Sequence, residues 1–326
     1  MSITDNTAGD VAFNPKDSDF LQRFSIATID VNNPEIGKIS ERMEEPSASV
    51  SFRTILIFWI TFFTAIKRAV FGKLVKTNSL FFDGISPICR EVKENAYSWR
   101  ALEIIYNLPE FSKKGRILDK VALYWNGLEN AKAVRNRFRL TKKILKEEIL
   151  KRKDKEIKLL SIASGSARAV LEALAEAHRD YGVTFKFRLI DLDPSASEYA
   201  GKLAKKLGIQ NMCEMITDST TNMEKVLVGY EPDIIEMVGF LEYRKKQKAV
   251  SLLSRLKEIV NSEGTIVVSQ VVPNKEMFFL RYVMNWPMVY RTKKEFSNVL
   301  EESGYTNRDL IKDPTGIHMV CKYVKK

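Results

Sequence analysis

Two carboxylates, Asp191 and Asp193, close the apolar run Phe185-Lys-Phe-Arg-Leu-Ile190. An earlier apolar run, Leu159-Leu-Ser-Ile162, stops at the small residues Ala163, Ser164, Gly165, Ser166 and Ala167, just before Arg168. Small residues let a backbone approach a ligand closely, and a helix starting after them offers unpaired N–H groups. A carboxylate at the end of the following strand can accept hydrogen bonds from both hydroxyls of a ribose. Strand, turn, helix, strand and acid is the order of the first βαβ unit in nucleotide-binding doubly wound sheets. Two more acids stand at comparable places: Asp218 beyond the run Met212–Ile216, and Glu236 within Pro232–Val238, which Gly239 closes.

The turn narrows the choice of nucleoside. A dinucleotide fingerprint puts glycines where this chain has Ala163, Gly165 and Arg168, and only Gly165 fits. No Gly-Lys-Ser/Thr ending offers a phosphate cradle. A ligand that needs the turn and the acid but no phosphate site is S-adenosylmethionine (SAM). The alternative is an α/β protein with a sharp small-residue turn and no ligand.

The elements that must position these residues follow from periodicity. Helices are expected from Ala169 to His178, over 195–207 ending at Gly208, over 244–260 and over 292–303 ending at Gly304. Strands are expected at 212–216, 232–238 and 265–272, with a closing pair, 305–311 and 316–324, around Asp313-Pro-Thr-Gly316. Upstream, Trp99, Leu102, Ile105 and Tyr106 mark a helix stopping at Leu108-Pro109, and a second follows over Ile117–Leu128. A third, over 129–153, carries Arg135, Arg137 and Arg139. Positions two apart on a helix diverge by about 200°, so Arg135 and Arg139 can share a face and Arg137 cannot. Arg135 or Arg139 is the candidate anion ligand of this helical cap, with a solvated face as the alternative.

The net charge is +11, but residues 1–48 carry 4 basic and 9 acidic side chains, whereas residues 49–158 carry 24 and 11. The first 48 residues read as a disordered acidic tail, 49–155 as a basic helical cap, and 156–326 as the nucleotide-binding domain. No basic, apolar and small-residue sequence of a secretory signal opens the chain. The run Thr54–Ile66 is too short to span a bilayer, which needs roughly 20 apolar residues. Cations flank it, so the segment 54–75, with Lys76 beyond, reads either as a helix in the interface of an anionic membrane or as one packed on the protein or a second copy. Cys89, Cys213 and Cys321 are scattered, which indicates a reducing compartment, the cytoplasm, with the inner face of the membrane as the peripheral option. His178 and His318 have no metal-ligand spacing, so no metal site is expected.

The closing strand pair carries the resemblance. Residues 159–326 resemble a class I SAM-dependent methyltransferase, and Trp286-Pro-Met-Val-Tyr-Arg-Thr292, with Leu123-Tyr-Trp-Asn-Gly-Leu128 and Ala133-Val-Arg-Asn-Arg137, looks like a bacterial subgroup of it. The resemblance implies a Rossmann-like, seven-stranded, mostly parallel sheet with an antiparallel C-terminal hairpin strand, behind the helical cap. It implies that Asp191, or Asp193 if the register shifts, holds the ribose, that Asp218 meets the adenine amino group, and that Ala163, Ser164, Gly165, Ser166 and Gly239 line the cofactor. The family's acid in the first strand is replaced here by Ser161, and two of its glycines by Ala163 and Ala167; Arg168 is the candidate partner of the methionine carboxylate. Glu236, Tyr290 and Arg291 are the candidates around the acceptor, with Glu242, Tyr243 and His318 as further candidate bases. Core packing for Trp286 and surface pairing for Arg291 are the bland alternatives.

The resulting expectation is methyl transfer from SAM to a small-molecule or lipid-like acceptor by in-line displacement. An RNA methyltransferase is the first alternative, disfavoured because no Asn/Asp-Pro-Pro-Tyr/Phe segment follows the fourth strand and no RNA module is appended. A non-catalytic SAM-binding or membrane-associated protein is the second. Acceptor identity and oligomeric state are not encoded in any spacing.

Overall fold

A computed structural model describes residues 39–47, 52–72, 79–111, 117–163 and 165–326. The strands are β1 (Ile157–Ile162), β2 (Phe185–Asp191), β3 (Cys213–Thr217), β4 (Ile234–Met237), β5 (Thr265–Val271), β6 (Arg308–Lys312) and β7 (His318–Val324). They form one sheet in the order β3-β2-β1-β4-β5-β7-β6. The first five are parallel, and β7 runs antiparallel to both β5 and β6. Every residue of β5 is buried, as its apolar run requires of a strand covered on both faces. The order reverses between β1 and β4, and ligands of open α/β sheets bind in the crevice that such a reversal opens beyond the strand ends.

The cap and flanking helices are α1 (Phe52–Phe71), α2 (Pro87–Glu94), α3 (Trp99–Phe111), α4 (Ile117–Asn126), α5 (Glu129–Leu150), α6 (Arg168–Tyr181), α7 (Pro194–Lys206), α8 (Met223–Val226), α9 (Lys246–Ile259), α10 (Met277–Tyr282) and α11 (Lys293–Glu302). One face of the sheet is covered by the second half of α5 (Ile144, Leu145, Ile149) together with α6 and α7. The other is covered by α9 and α11 through Leu253, Leu256, Phe296 and Leu300. Helix α5 is therefore more than cap: its first half belongs to the cap and its second half to the sheet. A third core joins α1, α2, α3, α4 and α10 through Ile57, Phe82, Val92, Ile104, Trp125 and Phe279.

Three expectations change. Helix α3 continues two residues past Pro109, to Phe111. A proline near a helix end forfeits one hydrogen bond of the last turn rather than breaking the interior. Helix α1 has 20 residues, about 30 Å of rise, so among the described residues one helix is long and apolar enough to cross a membrane by length and composition. The shorter run taken from the sequence left out the cationic last turn and its apolar neighbours. Lastly, residues 39–47, counted with the tail, lie against α5. Ile39 is buried, the backbone of Glu44 exchanges two hydrogen bonds with the Asn136 amide (2.8 Å each), and its carboxylate accepts from Arg135 and Arg139. The cap's paired arginines give this acidic stretch the partners that its own composition lacks.

Candidate active site

The turn after β1 is built from left-handed residues. Ala163, Gly165 and Ala167 have φ of 50°, 54° and 47°, so two alanines hold a conformation that costs a residue with a Cβ roughly 1–2 kcal/mol. Such strain persists where the surroundings over-determine the backbone, and functional sites are where it gathers. At Gly165 a side chain is disfavoured on two counts, the positive φ and an added Cβ that would lie 3.0 Å from Cβ of Trp99. Trp99 opens α3 and lies above the turn, its ring 4.4 Å from that of Tyr199 and its Nε1 donating to Ser195 Oγ at 2.9 Å.

Asp191 ends β2 directly beside this turn. Its two oxygens accept from the backbone N–H of Gly165 (2.8 Å) and of Asp193 (2.9 Å). Burial raises its carboxyl above the ordinary range, against the lowering effect of those hydrogen bonds. Two ionised oxygens offer about four acceptor sites, so these backbone donors do not exhaust the carboxylate. Asp193 instead caps α7, accepting from the backbone N–H of Ser195 at 2.9 Å. The cap and the ribose candidate are thus adjacent but separate residues.

A cleft of about 750 Å³ begins at Ala163, Gly165, Asp191, Asp193 and Gly239 and continues under the cap. That is in the upper part of the ~300–1,000 Å³ usual for small-molecule sites, more than a nucleoside alone requires. Its far end is an apolar chamber walled by Phe82, Val92, Ile104, Trp125, Leu280 and Met284. Trp286 lines it as well, held by a 2.8 Å bond from its Nε1 to Tyr243 Oη.

Beside Gly239 the cleft is lined by a buried polar spot. Arg137 donates to Glu242 Oε1 at 2.8 Å, with both side chains nearly inaccessible. The guanidinium lies 3.2 Å from where a Cβ on Gly239 would be, a tight contact, and the φ of 90° there favours glycine as well. Arg137 Nε, Glu242 Oε2 and His318 Nδ1 have no hydrogen-bond partner, and all three residues line the cleft. Burial raises the Glu242 carboxyl, offset in part by Arg137. Burial, with Arg137 beside it, puts His318 well below its usual range and so keeps it neutral.

Several expected residues lie elsewhere. Arg168 does not face the cleft: it is 2% exposed, and its guanidinium bonds Glu103 through Nε and Nη2 (2.6–3.0 Å), Glu172 and Tyr199. Burial pushes Glu103 up, and the charge and hydrogen bonds of Arg168 more than reverse it. Ser166 is also buried and bonds Glu103. Glu236 is beneath the cleft rather than in its wall, bonded to Ser161 Oγ and to the Val238 N–H, and burial lifts its carboxyl to about 7. Arg291 is buried and holds the carbonyls of Leu241 and Arg244 and the amide of Gln270, so it braces two loops. Tyr290, with an unpartnered hydroxyl, is outside the lining too. Asp218 folds back on the Ser219 N–H and Asn222, leaving Ser219 and Thr220 in the wall. Ser164 lies outside the described residues. Arg135 and Arg139 do share a face, but it meets Glu44; the arginine that lines the cleft is Arg137, which the same two-residue divergence turns the other way.

A 3-2-1-4-5-7-6 sheet with a ribose-type acid and a glycine turn at the reversal defines a class I methyltransferase fold. Residues 73–325 match the family described as "Putative methyltransferase", and the chain belongs to that family: it is a SAM-dependent methyltransferase. No curated protein sequence matches it. A structure described as a possible exported protein from Bordetella parapertussis is similar at 15% identity, with a TM-score of 0.59 over 86% of this chain and 99% of that one. Magnesium protoporphyrin IX methyltransferase from Synechocystis, solved with bound S-adenosylhomocysteine (SAH), aligns at 9% identity and a TM-score of 0.47, over 66% of this chain and 90% of that one. These likenesses are of fold.

Proposed function

We propose that the chain methylates an amphiphilic, small-molecule or lipid-like acceptor whose protic group meets Glu242 and whose apolar body fills the chamber under the cap. The observation that carries this reading is the continuity of one cleft from the Asp191 turn to an apolar chamber, with an unpartnered carboxylate oxygen on a residue that lines it. When bound, SAM supplies a methyl carbon activated by its sulfonium and leaves as the neutral thioether. Asp191 would hold the ribose hydroxyls, and the backbone from Ala163 to Gly165 would wall the cofactor.

The chain's own work is then alignment, dryness and one proton. Trp99 and Trp286 cover the cleft and exclude water. Arg137 offsets in part the burial that raises Glu242 and aims its carboxylate. Glu242 Oε2 accepts the proton of the acceptor O–H as that oxygen gains the methyl, so the charge on the acceptor never builds up. Burial has already raised Glu242, which makes it a better proton acceptor than a solvated carboxylate.

The test uses labelled SAM with a series of phenols carrying alkyl tails of increasing length, alongside calorimetric titration of SAH. The reading expects transfer that rises with tail length, SAH binding that is lost in Asp191→Ala, and about a hundredfold lower kcat in Glu242→Gln with SAH affinity kept. No transfer to any tailed acceptor, or full activity of Glu242→Gln, refutes it.

A further inference from the structure

Helix α1 lies upstream of the family match and leaves most of its circumference uncovered. Ile57, Ile60 and Thr64 face inward, at the spacing of a single stripe. Ile55, Phe58, Trp59, Phe62, Phe63 and Ile66 face outward, each 46–62% exposed, with Phe58 stacked on Phe62 and Trp59 on Phe63. Phe278 of the adjoining α10 is also 51% exposed. A contiguous apolar face of this size on a folded protein marks an interaction site.

Charge selects the occupant. Residues 46–82 contain five cations (Arg53, Lys67, Arg68, Lys73 and Lys76) and no carboxylate. A second copy would meet this acid-free, cation-bearing segment with another of the same sign, and a helical partner would cover a narrow stripe rather than a broad arc. Anionic headgroups over hydrocarbon meet both demands, the wide aromatic face and the uniform sign. The helix does not leave the body to span the bilayer. Arg53 bonds the Gly127 carbonyl and lies 4.7 Å above the Tyr124 ring, and Arg68 bonds Asn285 Oδ1 at 3.2 Å, which fixes both ends flat against the cap.

We infer that α1 docks the protein on an anionic membrane surface, lying in the interface plane with its aromatic face in the acyl region. Phe82, Leu280 and Met284 pack in one core with Ile57 and Ile60 and also line the chamber. The docked face is therefore one wall removed from the acceptor site. Docking itself does not depend on the acceptor reading.

Flotation of the full chain with phosphatidylcholine vesicles, with and without phosphatidylglycerol, tests this, with SAH titration of the same samples read separately. The full chain should rise with the phosphatidylglycerol vesicles. Phe58→Asp/Phe62→Asp should stay at the bottom, and Lys67→Gln should bind about fivefold more weakly, all with SAH affinity unchanged. Two results would overturn the inference: a full chain that binds SAH but does not float, or a Phe58→Asp/Phe62→Asp variant that floats as before while an oligomer becomes a monomer by size-exclusion chromatography.

Discussion

Replacing Arg168 with methionine separates a structural role from a ligand role at the nucleotide turn. Arg168 and Glu103 are 1% and 0% exposed in their side chains and joined by three hydrogen bonds, the shortest 2.6 Å. At that spacing two unit charges attract by about 6 kcal/mol at an effective dielectric of 20. Removing one partner of a buried pair leaves the other uncompensated, at a cost of about 3–5 kcal/mol. Glu103 would retain neutral donors alone: Tyr199 Oη at 2.7 Å, the Asn107 amide and Ser166. Arg168→Met should therefore lose about 3–5 kcal/mol in urea denaturation, and Arg168→Met/Glu103→Met should recover most of it, because no orphan charge remains. SAH affinity in the double variant should stay within about twofold of wild type. A single variant that loses less than about 1 kcal/mol refutes the pairing argument. A stable double variant that has lost SAH binding would return Arg168 to the methionine carboxylate.

Gly165→Ala should cost about 2 kcal/mol in chemical denaturation and weaken SAH binding by calorimetry, since the new Cβ meets both a positive φ and Cβ of Trp99; wild-type stability would contradict the described turn. Glu236 ionises at about 7 in the folded chain against 4.5 ordinarily, so its stabilisation belongs to the protonated form. That contribution is full below about pH 4.5 and is lost as pH rises through about 7, an effect of roughly 3 kcal/mol. Glu236→Gln should flatten this part of the stability profile, and an unchanged slope would refute the assignment.

The sheet was legible because its signals are local. Apolar runs of strand length, small-residue stops and terminal acids recur along 156–326, and each marks a strand end whatever the neighbours are. The place of Asp191 at a strand end was legible for the same reason. Arg168 was not, because its partner Glu103 is 65 residues upstream on a different element and no periodicity links them. Arg291 and Tyr290 sit in a segment that resembles the family, yet their side chains turn into loop bracing and away from the cleft, a matter of rotamer and packing rather than of position. The three alternating arginines were half legible: their spacing divides Arg135 and Arg139 from Arg137, but only the packed helix decides which side meets the cleft. Among the described residues no group of acids, histidines and cysteines is gathered as a metal site.

The strap from Ile39 to Ser47 bears on how the protein can be handled. Likeness to the family begins at residue 73, and a shortened chain would naturally be cut near there. Such a cut removes Glu44, the carboxylate that neutralises Arg135 and Arg139 on the buried side of α5. The same helix carries Arg137 into the cleft on its opposite side. A trimmed protein would thus leave two like charges unneutralised along the helix that bears Arg137 and would also lose α1 from the core behind the chamber, so low activity in it would measure the missing strap and helix and say nothing about the chemistry.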